Sequence, residues 1–188
     1  MNTKMNPSHS SMFIALTLLL AAVLACSGSI GNETDKANKL VTEGNAAVDE
    51  AKKFVTEAED KKGQMLKTKV SEIAEARTLA RESIAAYDKA ENKCKEAAKK
   101  YEEASKLRIS DKFKEYLALK VKEYNKRAEV VETAKGTPQA LIDSENQKSF
   151  VTRANANNEK VDALGKEAEA IASQADKLQK DNPKIFEE

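Results

Sequence analysis

The polar and apolar positions between Glu33 and Asp181 follow a helical period, and no stretch shows the strict alternation of a strand. Alanine, lysine and glutamate dominate this region, as they do in long helices. The pattern predicts an all-α fold, either an elongated antiparallel helical bundle or a long helical hairpin with coiled-coil-like heptad packing. The four predicted helices run from about Glu33 to Lys62, Gln64 to Leu107, Asp111 to Lys135 and Pro138 to Asp181.

Two of these helices carry heptad stripes that pair larger with small residues. The fourth has Leu164, Ile171 and Leu178 beside Ala154, Val161, Ala168 and Ala175, and the first has Val41, Val48 and Val55 beside Ala37, Gly44, Ala51 and Ala58. Small residues allow helices to approach closely, and a seven-residue period favours left-handed packing. The second and third helices each carry one narrow apolar face, and we expect Tyr87, Tyr101, Tyr116 and Tyr124 at the bundle edge.

The helix breaks follow from capping residues. Lys135-Gly136-Thr137-Pro138 predicts a C-terminus followed by a new helix with Thr137 as its N-cap. Ser110 or Asp111 can cap the third helix, and Asn182-Pro183 should end the fourth. Gly63 is ambiguous, since it either ends the first helix or weakens it by about 1 kcal/mol.

The N-terminus has the composition of a signal peptide. Lys4 precedes an apolar run from Met12 to Leu24, which is shorter than the about 20 residues needed to span a bilayer. A transmembrane helix and an ordinary secretory signal are the alternatives. An ordinary signal needs a small residue where Val23 stands.

The run ends in Val23-Leu24-Ala25-Cys26, which resembles the lipobox of bacterial lipoproteins. The resemblance implies cleavage between Ala25 and Cys26, diacylglycerol on the Cys26 thiol and a further acyl chain such as palmitate on the new amine. It places the protein outside the cytoplasm, lipid-anchored to a bacterial cell membrane. Because Ser27 stands where an aspartate would favour inner-membrane retention, the outer membrane is favoured if the host has one.

These signals divide the chain into four parts. Residues 1–25 form the predicted lipoprotein signal peptide, 26–32 the lipidated cysteine with a small, polar, flexible tether, 33–182 the helical bundle and 183–188 a short C-terminal tail.

The charge balance and the residue types of the mature chain exclude several classes of function. Once Lys4 is removed, basic and acidic residues are equal in number, which argues against a nucleic-acid partner. The charges are interleaved, as from Lys120 to Lys126 around Glu123, and this interleaving predicts solvent-exposed helix faces. The only histidine, His9, lies in the signal, so histidine-based catalysis and histidine-containing metal sites are excluded from the mature chain.

After lipidation of Cys26, Cys94 is the sole thiol. It is interpreted as a small buried hydrophobe, with an intermolecular disulfide as the alternative. We expect no enzymatic activity, metal or cofactor.

Two functions remain open. The first is a structural or protein-interaction lipoprotein of the cell envelope, which binds an envelope protein or a second copy of itself. The alternative is a carrier lipoprotein whose bundle opens around an apolar small molecule.

Overall fold

The computed structural model describes residues 30–185, and these form helices joined by short turns. The prediction of an all-α helical bundle is confirmed. The helices are α1 (Ile30–Lys67), α2 (Ile73–Ser105), α3 (Asp111–Ala134), α4 (Gly136–Asp143) and α5 (Gln147–Asp181), with 3-10 turns at Val70–Glu72 and Pro183–Ile185.

Each long helix packs against its neighbour in the chain. α1 lies along α2, α2 along α3 and α3 along α5, while the short α4 contacts both α2 and α5. Within the described residues, α1 and α5 do not pack along each other. The helices are therefore ordered α1, α2, α3, α5, so that α2 and α3 have a helix on two sides and α1 and α5 form the edges.

Both ends of the described chain lie at one end of the bundle. The Glu33 carboxylate accepts a hydrogen bond from the Arg108 backbone N–H at 3.4 Å, and Ile185 packs against the core cluster that contains Ala37, Ile109 and Phe113. The turn between α1 and α2 lies at the opposite end. Because α1 has 38 residues, the two ends are about 57 Å apart. We call residues 66–75 the distal tip.

Tyrosines of α2 fill the space that small residues of α1 leave open. Tyr101 packs over Gly44, where an added Cβ would lie 3.0 Å from the ring. At heptad spacing along the same two helices, Cys94 shares a core cluster with Ala51, and Tyr87 shares one with Ala58. Large residues of one helix thus alternate with small residues of the other, which permits close packing.

The expectation of tyrosines at the bundle edge is wrong for three of the four. Tyr87, Tyr101 and Tyr124 are buried, while Tyr116 is half-buried. The hydroxyls of two of them have acceptors, as buried polar groups require: Tyr101 donates to Asn45 Oδ1 at 2.7 Å, and Tyr87 donates to the Glu59 carboxylate.

Gly63 does not break the first helix. α1 continues to Lys67, so α2 begins later than predicted, at Ile73. A glycine in a helix whose ends are stabilised by packing lowers stability without ending the helix.

The glycines provide a test of this packing. Nothing lies within 4 Å of a Cβ added at Gly63, so Gly63→Ala should raise the free energy of unfolding by about 0.5–1 kcal/mol. Gly44→Ala gains the same helix propensity but presses on the enclosed Tyr101 ring, and we expect a net loss of about 1 kcal/mol. Urea unfolding of both variants checks the opposite signs. Equal stabilisation by both would contradict the close contact between Gly44 and Tyr101.

The predicted helix boundary around Lys135 and Gly136 is present, since α3 ends at Ala134 and α4 begins at Gly136, but the chain does not turn there. α3 and α4 are separated only by Lys135, whose dihedrals remain helical (φ −60°, ψ −22°). The chain reverses at residues 144–146 instead, where Ser144 is extended and Asn146 caps α5 by accepting from Ser149 N at 3.0 Å. Proline is tolerated in the first turn of a helix, so Pro138 fits inside α4.

Thr137 has a different role from the predicted N-cap. It is buried within α4, where its hydroxyl donates to Asn158 Oδ1 at 2.9 Å and accepts from Asn157 Nδ2 at 3.1 Å. These bonds join α4 to α5.

Two predicted boundaries are confirmed. Ser110 caps α3 by accepting a hydrogen bond from Phe113 N at 3.2 Å, and α5 ends at Asp181, before Asn182-Pro183. α1 begins at Ile30, within the segment predicted as tether. The four core clusters consist of residues between Ala37 and Ile185, so a chain of residues 27–188 contains the whole described core.

Candidate functional site

The predicted lipidation and cleavage residues, Ala25 and Cys26, lie outside the described residues. Between residues 30 and 185, no helix is long and apolar enough to cross a membrane. The same residues hold no group of histidine, cysteine, aspartate and glutamate arranged to bind a metal ion.

Cys94 lies in the core between α1 and α3, against Ala51 and Ala128. Its side chain is 4% exposed, and burial raises the pKa of its thiol to about 11. A second chain cannot reach this sulfur while the helices stay packed. The placement favours the interpretation as a small buried hydrophobe over the intermolecular disulfide.

Thiol labelling tests this placement on residues 27–188, where Cys94 is the single cysteine. Because the sulfur is buried and its thiolate scarce at pH 8, a soluble disulfide reagent should label the folded protein at least about 100-fold more slowly than the unfolded protein. The control is Cys94→Ala with Asn92→Cys, which places a thiol at a nearby exposed position of α2. Equally fast labelling of both folded proteins would contradict the burial of Cys94.

A buried cluster of charges on α3 is the first feature that the sequence pattern missed. Glu123 is fully buried, and its carboxylate accepts hydrogen bonds from Lys120 Nζ at 2.6 Å and Arg127 Nε at 2.8 Å. Lys120 is itself 5% exposed, and its ammonium lies 4.9 Å from the centre of the Tyr124 ring. The prediction that these charges form a solvated face is wrong.

The position of α3 explains this burial. With α2 on one side and α5 on another, α3 is covered over an arc wider than its one apolar stripe, so polar positions beside that stripe lie inside. Each charge in the cluster has an ionic partner, as burial of charge requires. Burial, together with the nearby Glu123 and Asp176 carboxylates, raises the pKa of Tyr116 to about 12.

A second charge cluster joins α2 to the junction of α3 and α4. Lys135 Nζ lies 2.9 Å from Asp88 and 2.8 Å from Glu91 on α2, and it also contacts Glu132 on its own helix. Burial raises the pKa of the Glu91 carboxyl, but hydrogen bonds with Glu132, Lys135 and Lys95 outweigh this effect and lower the pKa to about 2. The sequence predicts Lys135 only as a cation at a helix C-terminus, but its ion pairs link the end of α3 to α2.

An open groove of about 440 Å³ runs between α3 and α5. Leu119 and Leu178 contribute apolar surface to it, but half of its lining residues are charged: Glu115, Lys122, Lys177 and Asp181. Apolar ligands favour mostly apolar, enclosed sites. The groove is therefore poorly suited to an apolar small molecule.

The distal tip carries the second feature missed from sequence. Leu66 is 40% exposed and Ile73 is 42% exposed, and these are the exposed large hydrophobic residues of the described chain. Beneath them, Met65, Ala76 and Ala80 form a small core cluster, against which Leu79, Leu141, Ile142 and Phe150 pack only partly buried. Among the described residues, two buried side-chain polar atoms lack a hydrogen-bond partner, Arg77 Nε and Ser144 Oγ, and both belong to residues near this end.

Comparisons of the chain with protein-family models, curated proteins and solved structures found no match.

Proposed function

We propose that this chain is a membrane-anchored helical lipoprotein that acts as a non-enzymatic structural or protein-interaction module of the bacterial cell envelope. The proposal depends on one observation: the lipobox-like Val23-Leu24-Ala25-Cys26 lies only a few residues before α1. Several acyl chains at Cys26 would hold the chain on a membrane almost permanently. They would fix the end of the bundle that lies opposite the distal tip.

The packing of the bundle supports a scaffold over a carrier. Tyrosines fill the seam between α1 and α2, so separating these helices would expose their buried rings to water. The alternative, a carrier for an apolar small molecule, depends on the groove between α3 and α5, whose charged lining argues against it.

Lipidation tests the anchor. When the full chain is expressed in a bacterium fed radiolabelled palmitate, we expect label in the wild-type protein and its recovery in the detergent phase. Cys26→Ser should lose the label and remain uncut, because the acylated thiol is missing. Cys94→Ser is the matched control and should keep the label. Label retained by Cys26→Ser would contradict the anchor.

Native mass spectrometry separates the two functions. The scaffold predicts that purified residues 27–188 carry no bound small molecule, whereas the carrier predicts an added lipid-sized mass that survives purification.

A further inference from the structure

We propose that the distal tip is a self-complementary docking surface, through which two copies of this chain join end to end. Leu66 lies near the end of α1, and Ile73 is the first residue of α2. Each exposes about two fifths of its surface. They are the exposed large hydrophobic residues of the described chain, and both lie at the helix ends that the turn between α1 and α2 joins.

The charges around this apolar pair are separated by sign. Lys67 and Lys69 accompany Leu66 at the end of α1, whereas Glu72 and Glu75 flank Ile73 at the start of α2. All four are exposed, and none forms an ion pair with another residue between 33 and 185. The tip is therefore basic on its α1 side and acidic on its α2 side.

This arrangement suits a second copy of the chain. A two-fold axis perpendicular to the plane of the α1–α2 hairpin sets the α1 side of one tip against the α2 side of the other. Leu66 then meets Ile73 of the second copy twice, and each lysine pair faces a glutamate pair. Such reciprocal contacts define an isologous interface. A partner with a different sequence would not require equal numbers of basic and acidic residues on opposite sides of this surface.

Each copy would contribute two half-exposed apolar residues and four charges, a small contact, so we expect micromolar rather than nanomolar pairing. The end-on geometry places the start of α1 of each copy at the far ends of the pair. That the pair would then connect two membranes rests on the proposed function, whereas pairing of the tips does not.

Charge reversal tests the pairing. In sedimentation velocity, residues 27–188 should show a concentration-dependent dimer, and small-angle scattering should give it about twice the length of the monomer. Lys67→Glu with Lys69→Glu should weaken the dimer about tenfold or more, and Glu72→Lys with Glu75→Lys should do the same, because like charges then face each other. An equimolar mixture of the two variants should regain the dimer, since opposite charges meet again.

The matched control reverses two exposed lysines of α5, Lys160→Glu with Lys166→Glu, and should leave the dimer unchanged. Circular dichroism checks that each variant is folded. A wild-type monomer at all concentrations would overturn the proposal, as would a dimer insensitive to both tip reversals or a mixture that stays monomeric. These results are independent of palmitate labelling, so a failed anchor and a failed tip contact can be distinguished.

Discussion

Replacing Glu123 with glutamine should lower the free energy of unfolding by about 3–5 kcal/mol, because Lys120 is then left buried without its ionic partner. Glutamine keeps the size and shape of the side chain, so the loss reports the charge and not a cavity. Urea unfolding at neutral pH, followed by far-ultraviolet circular dichroism, measures the change.

The chain provides a matched control on the same helix. Glu129 accepts from Lys126 with the same spacing and the same 2.6 Å distance, but its side chain is 56% exposed. Glu129→Gln should change stability little, because solvent screens an exposed pair. Equal losses in Glu123→Gln and Glu129→Gln would contradict the burial of the Lys120–Glu123 pair.

A double variant separates charge from packing. Replacing both Lys120 and Glu123 with methionine removes the pair, and Arg127, whose side chain is 21% exposed, can still reach water. The double variant should therefore be more stable than Glu123→Gln, since apolar residues of similar volume often substitute for a buried ion pair.

The second large effect concerns Tyr101. Tyr101→Ala should cost about 3–5 kcal/mol, because the ring fills the space over Gly44 and also packs against Tyr124, with ring centres 5.6 Å apart. Tyr101→Phe keeps the ring and removes only the hydrogen bond to Asn45, so it should cost about 1 kcal/mol. Thermal unfolding of both variants measures the difference. A loss in Tyr101→Ala no larger than in Tyr101→Phe would show that the ring is not part of the core.

The period of the apolar residues determined the fold class, and local capping and proline signals determined two helix boundaries. The heptad stripe of α1 and that of α5 each predicted close packing against a partner helix, and Ser110 and Asn182-Pro183 marked the start of α3 and the end of α5. These features are local, since a cap acts within one turn and an apolar stripe follows from the helix period. The predicted lipid anchor is equally local, because it depends on consecutive residues before Ser27.

The reversal at residues 144–146 shows where local signals compete. Gly136 with Pro138 is a stronger sequence signal for a turn than Asn146, yet the helices on either side of Lys135 keep their direction and the chain turns at residues 144–146. The bonds from Thr137 to Asn157 and Asn158 hold α4 in place, and they form only after α5 has folded back. Ser144 and Asn146, both capping residues, were the available sequence signal for this turn.

The positions of the charges and tyrosines required the tertiary structure. The sequence pattern predicts that Lys120 and Glu123 lie on a solvated helix face. It also predicts that Tyr87 and Tyr101 lie at the edge of the bundle. In the folded chain α2 and α3 are each covered on two sides, and this second coverage brings positions beside each apolar stripe into the core. The period of one helix specifies its apolar face, but the number of neighbours around that helix decides how far its burial extends.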